Sequence, residues 1–188
     1  IMAINLQKGQ RIEIGLSKVC VGLGWEASDS AVDHDLDASA FMLDSQNKLP
    51  NDDFLVFYNQ TESPDKSVVS SGDDTTGGAV SGDCETLTVD LLKVDSKIDQ
   101  IVFVATIFEA LKRKQNFGQV RNSYIRIYDA ITQEEICKYE LGEDFSIETG
   151  VEFGRLYKRN GQWKFEAIGI GYKCEGEHGL EFFIAKYK

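Results

Sequence analysis

Short apolar or alternating runs, each bounded by Gly, Asn, Asp or Ser, recur near residues 11–16, 19–25, 35–43, 54–58, 86–92, 101–107, 123–128, 136–141, 151–158, 163–171 and 181–187. Alternation with a period of two buries one face of a strand, and runs this short end before an isolated helix becomes stable. Asn160-Gly161 joins two of them. That dipeptide is a strong hairpin signal because both residues tolerate positive φ. The run 101–107 is apolar at nearly every position, which suits a central strand covered on both faces, between two sheets or under a helix. The expected fold is therefore all-β, a β-sandwich of two mostly antiparallel sheets with a few short helices, at 108–115 and 143–148. One domain spanning residues 2–188 is expected, since 188 residues with 42% hydrophobic content can bury a core of their own.

Within the run that continues to Leu43, Asp33, Asp35 and Asp37 occupy every second position. On a strand such residues share one face, with Cα atoms roughly 6.6 to 6.8 Å apart. Unit charges at that spacing repel by roughly 2 kcal/mol at an effective dielectric near 20. The row is therefore either fully solvated or neutralised by a cation, and oxygen-only ligands select a hard ion, Ca²⁺ or Mg²⁺. An EF-hand beginning at Asp33 fails, because Ala38 stands where Gly is needed, Asp44 stands where Glu is needed, and helical flanks are lacking. The long segment 61–85, rich in Ser, Gly, Asp and Thr, offers Asp73, Asp74, Asp83 and Glu85 on flexible backbone. With Asn59 as a neutral oxygen ligand, these residues and the strand row would hold one or two ions.

The formal net charge is −11, and residues 26–99 carry 17 of the 31 acidic residues against 4 of the 20 Lys and Arg, a balance of −13 that leaves +2 elsewhere. Nucleic acid is not an expected partner for so acidic a chain. Apolar stretches long enough to span a membrane are absent from the sequence, so a soluble cytoplasmic protein is expected. Cys20, Cys84, Cys137 and Cys174 form no C-x-x-C pair, which leaves no zinc or dithiol redox signature. The two histidines, His34 and His178, stand beside no recognisable nucleophile motif, and phosphate-binding glycine loops are missing. No catalytic residues are assigned, and an enzyme is not expected.

One basic cluster, 112–122, adjoins the strand that carries Arg126. Arg113, Arg121 and Arg126 could together hold a small anion. The alternative is that they pair with the acidic half while Phe117, between Asn116 and Gly118, plugs into the core.

Gly22-Leu23-Gly24-Trp25-Glu26, Asp33-His34-Asp35-Leu36-Asp37-Ala38-Ser39-Ala40-Phe41, Phe57-Tyr58-Asn59-Gln60, Gly72-Asp73-Asp74, Thr76-Gly77, Asp83-Cys84-Glu85, Arg113-Lys114-Gln115-Asn116-Phe117-Gly118-Gln119-Val120-Arg121-Asn122 and Trp163-Lys164-Phe165 occur in that order. Together they closely resemble the TerD family of bacterial tellurite-resistance and general stress proteins over nearly the whole chain. The resemblance implies a Ca²⁺-binding β-sandwich without catalytic activity, a scaffold working with other stress and tellurite-resistance proteins. It also implies a peripheral, membrane-associated complex at the inner membrane. The family's acidic motifs fall on Asp33, Asp35 and Asp37, on Asp73 with its following residue, and on Asp83 through Glu85. Asp74 and Cys84 depart from the usual pattern, moving one charge from the end of the loop to its start. The alternative implied by resemblance is a cyclic-nucleotide-binding module, since slime-mould proteins described as cyclic-AMP-binding contain similar domains.

Overall fold

In a computed structural model, residues 6–27, 33–78 and 82–188 are described. Eleven strands form two sheets in which every pairing is antiparallel. The first sheet contains β1 (Arg11–Glu13), β3 (Leu36–Leu43), β4 (Leu55–Val56), β7 (Gln100–Ile107), β10 (Gly150–Arg159) and β11 (Gln162–Tyr172), in the order β1-β11-β10-β7-β3-β4. The second contains β2 (Lys18–Gly24), β5 (Val68–Ser70), β6 (Glu85–Asp90), β8 (Tyr124–Asp129) and β9 (Glu135–Glu140), in the order β5-β6-β2-β8-β9. The expected sandwich is thus the observed architecture. Asn160 and Gly161 both take positive φ, 53° and 75°, and turn β10 directly into β11 with Arg159 opposite Gln162. Two primed turn positions match the right-handed twist of the strands they join.

Alternation fills the space between the sheets. Val19, Val21 and Leu23 of β2 and Leu87 and Val89 of β6 face Leu36, Ala38, Ala40 and Met42 of β3 and Ile101, Phe103, Ala105 and Ile107 of β7. The other face of β3 and β7 is not left to solvent. Phe41, Leu43, Val102 and Val104 pack under a C-terminal helix, α3 (Leu180–Tyr187), through Leu180, Phe183 and Tyr187. β7 is therefore buried along its whole length, by a sheet on one side and a helix on the other.

The run 181–187, expected as a strand, is a helix, and β5 falls within 61–85, where the sequence shows only a long loop. Phe182-Phe183-Ile184 looks like a strand core, yet the residues that bury are spaced by three and four, the spacing of one helical face. A strand there would leave the outer face of β3 and β7 uncovered. The short helices expected at 108–115 and 143–148 are present as α1 (Ala110–Arg113), inside the first range, and α2 (Leu141–Asp144), starting two residues before the second. Phe117 is fully buried, as a plug should be.

Candidate metal centre

β3 begins at Leu36, whose side chain enters the core, so Asp35 and Asp37 project from the opposite, helix-covered face of the first sheet. Asp37 stands opposite Thr106 of β7. The loop after β5 brings Asp73 to them. Asp35, Asp37 and Asp73 each offer a carboxylate oxygen within 4.8 Å of the others, with Asp35 and Asp37 buried and Asp73 exposed.

Two residues hold the strand entrance and the loop together. Glu85 is 3% exposed and accepts from Ala38 N on β3 at 3.0 Å and from Asp74 N on the loop at 3.1 Å. Trp25, also buried, donates from Nε1 to the carbonyl of His34 at 3.0 Å, while its own carbonyl accepts from Gly78 N at 2.8 Å and Gly77 lies against its ring. Both contacts follow from β2 and β6 being neighbours in the second sheet. Loop and strand entrance are thus tied from one sheet to the other.

Electrostatics follow burial. Burial, with the nearby Glu85, Asp35 and Asp73, pushes the Asp37 carboxyl up to about 9. Burial and Asp73 raise Asp35 to about 6 against the opposing pull of Arg113. Glu85 rises to about 8 through burial, although its two backbone N–H donors favour the ionised form. Oxygens in this arrangement resist ionising together without a cation among them. Asp35 Oδ1 is buried without a hydrogen-bond partner among the described residues. The donors are all oxygen, so the group fits a hard divalent ion.

Asp33 is exposed and lies outside this group; its carbonyl, not its carboxylate, is engaged, by Gln115 Nε2 at 3.2 Å and Arg113 at 3.4 Å. The strand geometry that would align it with Asp35 starts three residues later. Asp74 turns back on its own loop, accepting from Thr76 N, Thr76 Oγ1 and Gly77 N at 3.0, 3.1 and 2.9 Å. Asn59 is exposed in the turn between Phe57 and Gln60, and its neighbour Tyr58 faces the acids instead.

Asp83 is directed elsewhere. Its carboxylate takes Arg126 Nε and an Arg126 terminal nitrogen at 3.0 and 2.8 Å and the Tyr124 hydroxyl at 2.7 Å, lying over Gly22, where a side chain would collide with it. A carboxylate gripped by a guanidinium fork is a poor ligand for a second ion. The same pair removes Arg126 from an anion site. Arg113 pairs with Glu109 at 3.2 Å, and Arg121 lies 3.9 Å from Glu26 and donates to the Ala27 carbonyl at 3.3 Å. The three arginines are anchored to separate groups.

Sequence reasoning missed the walls. Tyr58, Thr75, Phe108 and His178 line a cleft of about 230 Å³ with Asp35, Asp37 and Asp73. Phe108 and His178 stack at 4.7 Å between ring centroids, and Tyr58 meets Phe108 edge to face at 6.2 Å. Tyr58 was signalled by adjoining Asn59 within the motif Phe57-Tyr58-Asn59-Gln60, with no role attached to its ring. His178 arrives from the segment before α3, a contact no local pattern announces.

A family model described as the TerD domain matches residues 2–187. The general stress protein 16U of Bacillus subtilis is 50% identical over 179 residues, covering 92% of each chain. The tellurium resistance protein TerD of Serratia marcescens is 45% identical over 192 residues, covering 99% of this chain and 97% of its own. A solved homologue of the telluride resistance protein from Streptomyces coelicolor A3(2) superposes with a TM-score of 0.73 at 20% identity, over 86% of this chain and 93% of that one, and so shares the fold. Among the described residues, no helix is long and apolar enough to cross a membrane.

Proposed function

The chain belongs to the TerD family, and we propose that within it this protein binds Ca²⁺ and acts as a non-catalytic module of stress and tellurium resistance. The observation that carries the reading is the meeting of Asp35, Asp37 and Asp73, two from a strand entrance and one from a distant loop, with oxygens within 4.8 Å. Asp35, with its unpartnered oxygen, and Asp37 would be ligands from the sheet, and Asp73 the ligand from the loop. Glu85 would position rather than ligate, since both its oxygens already take backbone N–H groups.

The bound ion supplies the positive charge that lets the buried carboxylates ionise together. The residues around it do the rest. Asp74 braces the turn that presents Asp73, and Trp25 fixes that turn against the strand entrance. An ion held between loop and sheet would stiffen the surface around residues 72–78 and offer it to another protein of the stress response, including one at the membrane. The stress and tellurium-resistance role is supported by the names its relatives carry.

Thermal melts in chelator, in Ca²⁺ and in Mg²⁺ test the reading. Saturation at about 100 times Kd adds roughly 2.7 kcal/mol to stability. A rise in Tm with Ca²⁺ that Mg²⁺ does not reproduce is expected. Equal melts in all three conditions would refute it.

A further inference from the structure

The carboxylate group does not fill its cleft. Three ionised carboxylates already exceed the charge of one divalent ion, and Glu85 adds a fourth acid behind them. Ca²⁺ takes six to eight oxygens in flexible geometry. With one oxygen each, Asp35, Asp37 and Asp73 supply three of these, while Asp74 and Glu85 are committed to backbone donors and Asp83 to Arg126, so the described acids leave coordination positions open toward the cleft. Charge decides what enters: a further anion would be repelled, and neutral oxygen is the favoured ligand.

The surroundings point the same way. Asp35 Oδ1, on the cleft lining, has no hydrogen-bond partner among the described residues, whereas Ser39 Oγ and Thr106 Oγ1, equally unpartnered there, are fully enclosed behind that lining on the face of the sheet that carries Asp37. A buried oxygen without a protein partner is rare, and one that borders a cleft marks a place for an ion or polar atom supplied from outside. Tyr58, Phe108 and His178 wall the cleft; His178, its Nδ1 without a partner among the described residues, and the Arg113 guanidinium both stack on the Phe108 ring, so Tyr58 and His178 carry the ring faces open to a ligand. At about 230 Å³ the cleft is smaller than a drug-sized site.

We infer that this cleft binds a small neutral polyol, such as a single pyranose ring, with two neighbouring hydroxyls completing the coordination of Ca²⁺ and the C–H face of the ring against the aromatic wall. The inference rests on the calcium reading above. A strong anion lacks the charge complement, and an organic cation would have to displace the ion.

The test uses the full chain. Calorimetry first establishes Ca²⁺ binding, and saturation-transfer NMR then probes methyl α-D-mannopyranoside, which presents a cis diol, in Ca²⁺ and in chelator. The same glycoside with its ring hydroxyls methylated serves as control. Saturation transfer only with Ca²⁺ and only to the free diol is expected, weakened roughly tenfold by Tyr58→Ala while Ca²⁺ affinity changes less than about twofold. Normal Ca²⁺ binding without saturation transfer overturns the polyol inference alone. Equal transfer to the methylated glycoside, or in chelator, overturns it too. Absence of Ca²⁺ binding overturns both readings.

Discussion

Replacing Asp37 by Asn should make the metal-free protein more stable at about pH 8, although it removes a charged group from the centre of the proposed site. Asp37 is 3% exposed, and burial beside Glu85, Asp35 and Asp73 pushes its carboxyl from the ordinary 3.8 up to about 9. Between those values the folded chain keeps the proton and the unfolded chain releases it. The contribution of Asp37 to stability is therefore greatest at low pH and is lost as pH rises toward 9. Each such group changes stability by ~1.4 kcal/mol per pH unit, or ~4 kcal/mol from about pH 5 to about pH 8. That is a large share of the ~5–15 kcal/mol typical of a domain. Asn keeps the size and loses the titration.

Urea denaturation of both proteins in metal-depleted buffer across this range measures the effect. The wild-type midpoint should fall with pH, and the variant's should fall less. Asp35 and Glu85, raised in the same direction, leave the variant a residual slope. Adding Ca²⁺ near pH 8 should reverse the ranking, stabilising the wild type and not the variant. Parallel pH profiles, or a variant less stable than wild type in metal-free buffer near pH 8, would refute the assignment of Asp37 as a buried acid awaiting a cation.

Asp83→Asn should cost about 1–3 kcal/mol by weakening the charged hydrogen bonds to Arg126, yet leave Ca²⁺ affinity within about twofold; a large loss of affinity on calorimetric titration would return Asp83 to the metal centre. Phe183→Ala should cost about 3–5 kcal/mol, because Phe183 is fully buried between α3 and the outer face of the first sheet. Chemical denaturation with a cost under about 1 kcal/mol would mean that α3 is not a structural layer.

The sandwich was legible because its strands carry period-two alternation and its hairpin carries Asn-Gly. α3 was not, because a short amphipathic helix with three adjacent apolar residues presents the same local composition as a buried strand. Only the uncovered face of β3 and β7 distinguishes them. The acids of the site divide in the same way. Asp37 within β3 and Asp35 immediately before it lie where strand alternation puts them, while Asp33, three residues before the strand, escapes its geometry. Asp83 was drawn away by Arg126, which reaches it through the space above Gly22. That contact depends on the register placing Gly22 opposite Arg126, information absent from either segment alone. His178 and Phe108 are separated in sequence by the four strands β8 to β11 and stack only because α3 folds back over the first sheet.

Calorimetric titration of Ca²⁺ into metal-free protein, repeated on Asp35→Asn and Asp37→Asn, tests the central claim most directly. Saturable binding with whole-number stoichiometry is predicted for the wild type, with the contribution of this site lost in both variants. Undetectable binding to the wild type, or binding untouched by both substitutions, would contradict the assignment of Asp35, Asp37 and Asp73 as a calcium centre.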